Sequence, residues 1–197
     1  MGMIALFDND TVSKSNINRQ IIATTSSLEK DKVEVAKERL LSINPNIKIE
    51  CNKVFYLPEN AENIDLSKYD YIVDAVDTVS AKIELISRAK ALNIPVISCM
   101  GTGGKTDPTK LKVSDIEKTS TCPLARVMRR ELKARNIKGV KVVFSDEPSF
   151  IDKESEKDAE KKVTGRTVPP SMIFVPASAG LLMAREVVFD LIKKSEN

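Results

Sequence analysis

A doubly wound, Rossmann-like α/β domain with a mostly parallel sheet is the fold this sequence predicts, and three observations carry that prediction. Short runs of β-branched and aromatic residues alternate along the chain with segments of helical period. One such run, residues 71–76, is apolar almost throughout, as in a strand covered by helices on both faces. At 197 residues, with 42% hydrophobic and 30% charged side chains, the chain can bury a core without disulfide or metal staples, which excludes disordered and fibrous classes.

The elements follow in order. Residues 4–7 are predicted as a buried strand that ends on the acid cluster Asp8-Asn9-Asp10. Residues 28–41 place Val33, Ala36, Leu40 and Leu41 on one face with charges opposite, the pattern of an amphipathic helix. Residues 47–51 alternate as a strand, and 71–76 form the covered strand with Asp77 just past it. A helix is predicted over 80–92, and a strand over 95–98 opens into Gly101-Thr102-Gly103-Gly104. A strand at 111–113, a helix at 123–135 and a strand at 140–145 come next. Residues 146–170 are dense in charge and poor in large apolar side chains, which predicts one long flexible surface loop. A strand at 172–175 and a closing helix at 177–194, basic in its last turn, complete the reading.

Composition removes several chemistries. The longest apolar stretch, 171–192, is broken by Arg185, Glu186 and Asp190, so it reads as a buried helix and not as a membrane span. No basic leader followed by an apolar run opens the chain, and the expected location is cytoplasmic. Cys51, Cys99 and Cys122 are too few and too scattered for a disulfide framework or a zinc knuckle. Histidine is absent, which excludes imidazole bases, Ser-His pairs and His-ligated metals.

Nucleotide-binding domains of this class normally open with a strand running into G-x-G-x-x-G, followed about 20 residues later by an acid that holds the ribose. Asp8 has that acid's setting, but only seven residues precede it. The expectation is a domain that lacks its first strand, phosphate loop and first helix, with Met1-Gly2 a vector-derived start. Such a chain would bind ATP weakly by itself.

The segment Asp8-Asn9-Asp10-Thr11-Val12-Ser13-Lys14-Ser15-Asn16-Ile17-Asn18-Arg19-Gln20 resembles a signature of the ThiF/MoeB/HesA superfamily, adenylating enzymes related to ubiquitin-activating enzymes. The resemblance implies an ATP site with Asp8 on the ribose, Asn16 and Arg19 on the phosphates, Lys32 on the triphosphate and Asp77 on magnesium. It makes Arg19, Lys32 and Asp77 the catalytic groups. Joining a carboxylate to a phosphate brings two anions together, so cations must neutralise charge, while no proton acceptor is needed. A site without histidine suits that reaction. Taken singly, an acid after a strand also caps the next helix or shapes a turn, and a lone Arg or Lys is commonly a solvated charge.

Members that activate sulfur-carrier proteins usually hold zinc in two C-x-x-C pairs, and many relatives carry a conjugating cysteine in a crossover loop. Neither feature is present, so no zinc is expected and no thioester can form in the 146–170 loop. The segment from Gly101 to Thr109, with Ser114-Asp115-Ile116 and Pro123-Leu124-Ala125, resembles the tRNA threonylcarbamoyladenosine dehydratase branch over nearly the whole chain. Some relatives there carry a cysteine shortly before the last helix, where Pro176 stands in this sequence. Gly101, Gly103 and Gly104 form either a tight turn or a nest of amides for an anion. The alternative function is activation of a ubiquitin-like sulfur carrier, and a third reading is a non-catalytic interaction module.

Between residues 122 and 142 seven cations, among them Arg126, Arg129, Arg130 and Lys133, face a single Glu131. A basic helix face of this kind is either merely solvated or a strip for tRNA phosphates. The resemblance further implies ATP and Mg²⁺, a homodimer formed through helices flanking the sheet, and a sulfur-relay protein as a possible partner.

Overall fold

The computed structural model describes residues 2–148 and 170–195. Two compact units divide the chain, Met1–Glu62 and Asn63–Asn197.

In the first unit, β1 (Met3–Phe7) pairs in parallel with β2 (Lys48–Asn52), Met3 opposite Lys48 and Phe7 opposite Asn52. A parallel pair needs a long crossover, and α1 (Lys32–Ile43) lies within it. Residues 4–7 of β1 are half-buried, short of the full burial expected from their sequence, and Met3 is exposed. The helix also begins later than residue 28. Glu29 N–H donates to Val12 O at 2.9 Å, Val12 N–H donates to Lys30 O at 2.8 Å, and Glu29 is left-handed at φ 65°. Residues 28–31 are thus bound to the chain that follows β1, and Lys32 becomes the first helical residue. Val33 and Val35 are the buried side chains of α1, whereas Ala36, Leu40 and Leu41 are half-buried. Val12, Ala23 and Val35 form a small core, with Ile17, Ile22 and Leu28 packed on it.

The second unit holds a four-stranded sheet in the order β3 (Ile72–Asp74), β4 (Val96–Cys99), β6 (Lys141–Ser145), β5 (Leu111–Asp115). The first three are parallel, and β5 runs antiparallel to β6 at the edge. Between β3 and β4 lies α2 (Val79–Ala91), closed by Asn93 in the left-handed region and by Ile94 N–H donating back to Ala89 O at 2.9 Å. Pro123 opens α3 (Pro123–Ala134), where its missing N–H costs nothing.

The closing helix, α4 (Phe174–Ser195), absorbs the strand expected at 172–175. A short apolar run suits either structure. Ala177 N–H donates to Ile173 O at 3.1 Å, so the ladder already runs there, and Pro176 sits in the first turn where a donor is dispensable. Ile97 and Val143 meet Ala179, Met183 and Val187 of this helix in the main core. Strand alternation turns Asp74, Ser98 and Val142 to the other face, where Lys82 of α2 meets Asp74. Unlike the buried helix expected, α4 leaves Phe174, Leu181, Val188, Phe189 and Ile192 exposed. Of the expected 146–170 loop, residues 149–169 lie outside the described residues. No helix among the described residues is long and apolar enough to cross a membrane.

Candidate active site

Asp8 leaves the end of β1, its backbone N–H donating to Asn52 O at 3.2 Å across the parallel pair. Its Oδ1 accepts from Asp10 N–H at 2.8 Å, so the acid shapes the turn while part of its carboxylate stays open to solvent. Lys32 arrives at the same place as the first residue of α1. Its Nζ lies 2.8 Å from Asp10 Oδ2 and 3.9 Å from Asp8 Oδ2, and its backbone N–H donates to Asp10 O at 3.0 Å. The strand end and the helix start thereby build a cluster of one ammonium and two carboxylates. Asp10 is the member that the sequence reading omitted, although the Asp-x-Asp spacing carries the signal.

Asn16 is buried at the end of a 3-10 turn, where its Oδ1 accepts from Ser13 N–H at 3.0 Å. It holds the loop, which leaves only its amide nitrogen for a ligand. Arg19 follows on the same turn, its backbone N–H donating to Asn16 O at 3.0 Å. Its guanidinium donates to Ser15 O and, at 3.2 Å, to Asn18 Oδ1, near solvent. The first unit thus carries Asp8, Asn16, Arg19 and Lys32 of the expected set.

The second unit carries Asp77 and the glycines. Asp77 stands exposed in the loop between β3 and α2. Among the described residues no group of three or more acidic, Cys or His side chains can hold a metal. A cation at Asp77 would draw most of its oxygens from phosphate and water, the ordinary habit of Mg²⁺ bound with a nucleotide.

The glycine loop is partly committed. Gly104, left-handed at φ 67°, is buried and donates its N–H to Pro170 O at 2.7 Å, so of the turn and the nest this amide serves the turn. Gly101 and Gly103 are half-buried. Buried Lys105 anchors the loop by donating to Ser145 O at 3.2 Å and Glu147 O at 2.6 Å. Burial pushes the Glu147 carboxyl up, but N–H donors from Asp107 and Thr106 and the Thr106 hydroxyl outweigh it and hold the group below its ordinary value. Cys99, just before this loop, has its thiol pushed up to about 11 by burial, which leaves it protonated and inert.

On α3, Arg126, Arg130 and Lys133 are exposed, Arg130 beside Glu131 at 3.0 Å. Arg129 is withdrawn: its guanidinium donates to Thr119 O and Oγ1, both at 2.6 Å, and so tethers the helix to the preceding turn. Nothing in the residue pattern distinguishes the one of four similar cations that faces inward.

The sequence pattern of the ThiF family matches residues 1–197. The chain belongs to the ThiF family. This ThiF-family chain is 41% identical over 202 aligned residues to the tRNA threonylcarbamoyladenosine dehydratase of Bacillus subtilis (strain 168), covering 100% of the chain and 80% of that protein. It is 37% identical over 155 residues to the enzyme of the same name from Escherichia coli (strain K12), covering 75% of the chain and 58% of the relative. The solved structure of E. coli tRNA N6-threonylcarbamoyladenosine dehydratase in complex with ATP shares the fold, with a TM-score of 0.84 and 30% identity over 99% of this chain and 77% of that one.

Proposed function

We propose that this ThiF-family chain is an ATP-dependent tRNA threonylcarbamoyladenosine dehydratase. The likeness to the B. subtilis enzyme along the whole chain carries the reading, and the open Asp8–Asp10–Lys32 cluster supports it. In the reaction, an oxygen of the threonyl carboxylate on the modified adenosine attacks the α-phosphorus of ATP. A P–O bond breaks and pyrophosphate leaves. A nucleophile of the same side chain then attacks the activated carbonyl carbon, its C–O bond to AMP breaks, and the nucleophile gives its proton to solvent. The net change in the nucleoside is loss of one water. Because the second step is intramolecular, the protein's task there is positioning.

Each residue takes a role from its chemistry. Asp8 accepts hydrogen bonds from the ribose hydroxyls. Lys32 exchanges Asp10 for phosphate oxygens, which keeps its ammonium paired throughout. Arg19 and the amide of Asn16 neutralise and orient phosphate, and the backbone of Gly101 and Gly103 adds donors. Asp77 holds Mg²⁺, which supplies charge neutralisation at the phosphates when bound. On the tRNA side, Arg126, Arg130 and Lys133 face the phosphate backbone while Arg129 keeps α3 in place. A second copy covers the outward face of α4, where Leu181 is 68% exposed and Phe174, Leu181 and Val188 recur every seven residues.

Incubation with Mg-ATP and tRNA bearing threonylcarbamoyladenosine tests the reading. The expected result is AMP release matched by a nucleoside lighter by one water in mass spectrometry. AMP release with an unchanged nucleoside contradicts it.

A further inference from the structure

A second lysine–carboxylate pair lies inside the sheet unit, away from solvent. The side chains of Lys82 and Asp74 are 1% and 0% exposed. Lys82 Nζ donates to both oxygens of Asp74, at 3.1 and 3.0 Å. The Ser98 hydroxyl donates to Asp74 Oδ2, and Val76 N–H donates to Oδ1 at 3.2 Å. One carboxylate therefore gathers the ends of β3 and β4, the first turns of α2 and the loop that joins β3 to that helix.

Such a pair is a poor device for stability, since apolar residues of similar volume commonly hold a core as well or better. What it supplies is geometry. The loop of residues 75–78 is an arch whose first foot is fixed by Val76 N–H on Asp74. Its second foot is the start of α2, where Lys82 N–H donates to Thr78 O at 3.0 Å and the Lys82 ammonium reaches back to the same Asp74. Both feet thus rest on one salt bridge, and the exposed Asp77 stands between them.

We infer that Asp74, Lys82 and Ser98 are positioning residues that fix the arch bearing Asp77 and so present its carboxylate to the divalent cation that accompanies ATP. The inference rests on the reading of Asp77 as the cation-holding acid. Neither Asp74 nor Lys82 reaches a ligand itself, so their effect passes entirely through the arch.

The paired variant Asp74→Leu/Lys82→Met removes both charges at similar volume and tests this directly. Hydrogen exchange at the Val76, Asp77 and Thr78 amides is read together with the Mg²⁺ concentration that half-saturates ATP–pyrophosphate exchange. The expected result is a cooperative melt, amide exchange in the arch faster by about tenfold, and a Mg²⁺ requirement raised by about tenfold, with the half-saturating ATP concentration at excess Mg²⁺ unchanged. Native exchange rates at these amides, or a native Mg²⁺ requirement, overturn the inference. If the paired variant does not fold, Ser98→Ala is read in the same way, with smaller shifts in the same directions expected and native values again overturning it. Asp77→Ala separates the two layers. An unaltered Mg²⁺ requirement in that variant removes the assignment of Asp77, while the exchange rates alone decide whether the buried pair fixes the arch.

Discussion

Lys32 and Lys82 each face a carboxylate at hydrogen-bond distance, 2.8 Å to Asp10 and 3.0 Å to Asp74, yet Asp10 is 62% exposed and Asp74 is not exposed at all. The first pair stands at a strand end with its carboxylate in water and its lysine side chain 11% exposed, so water screens it from the carboxylate side and its net contribution to stability is small. Its ammonium can leave Asp10 for a phosphate at little cost. The buried pair has no such freedom, because moving either group strands a charge in an apolar interior. One chemistry thus suits two purposes, divided by the exposure of the carboxylate: the pair we propose for ligand keeps its acid in water, and the pair we infer to hold backbone is closed on both sides.

The strongest way to break that contrast is to remove one lysine from each pair. Lys82→Met leaves Asp74 uncompensated and should lower stability by about 3–5 kcal/mol, read from the urea midpoint. Equal stability of Lys82→Met and Lys32→Met would erase the distinction. The converse holds for chemistry. Lys32→Ala should leave the unfolding free energy in urea within about 1 kcal/mol of native, yet lower adenylation by on the order of 10²–10³-fold. Normal AMP formation in that variant would demote the Asp8–Asp10–Lys32 cluster to a turn.

A smaller contrast of the same kind lies on α3. Arg129→Ala removes two hydrogen bonds to Thr119 and should cost about 1–3 kcal/mol, with little change in the salt dependence of tRNA binding. Arg126→Ala with Lys133→Ala should do the reverse, flattening the salt slope at unchanged stability. A slope carried by Arg129 instead would reverse the assignment.

The smallest effect belongs to a half-buried network that sits between the two extremes. Lys141 lies 2.6 Å from Asp190 and 3.2 Å from Glu186, and Tyr71 donates to Asp190 at 2.8 Å. Burial pushes the Lys141 ammonium down, but the bonds to Asp190 and Glu186 outweigh it and raise the group. Asp190 is held low in spite of its own burial by Lys141 and Tyr71. The depressed Asp190 contributes stability present above its ordinary carboxylate value and lost as pH falls through the depressed one. The raised Lys141 contributes stability present below its ordinary lysine value and lost as pH rises through the raised one. The melting temperature should therefore plateau between roughly pH 4 and 10 and fall on both sides. Lys141→Met should flatten both flanks, and an unchanged profile would show that the network adds nothing.

Much of this was legible in the sequence. The strand that ends at Asp8, the helix over 80–92 and the strand over 140–145 follow from period and composition, whereas the strand expected over 71–76 stops at Asp74, short of Asp77, and leaves Val73 exposed at the sheet edge where a strand covered on both faces was expected. Residues 28–31 misled because long-range bonds to Val12 override a helical pattern that is only local. Residues 172–175 misled because four apolar residues fit a strand and a first helical turn equally well. Asp74 and Lys82 were hidden for a different reason: a charged residue in an apolar run looks like an exception until its partner is found, and the two come from different elements. Gly104 looked like part of a cradle because sequence shows that an amide exists and not which carbonyl it meets.

ATP–pyrophosphate exchange, measured in parallel with tRNA bearing threonylcarbamoyladenosine and with a ubiquitin-like sulfur-carrier protein, tests the central claim most directly. The account predicts exchange that depends on the modified tRNA, is lost in Asp77→Ala and Lys32→Ala, and is indifferent to the carrier. Exchange driven by the carrier's C-terminal carboxylate and not by the tRNA would contradict it.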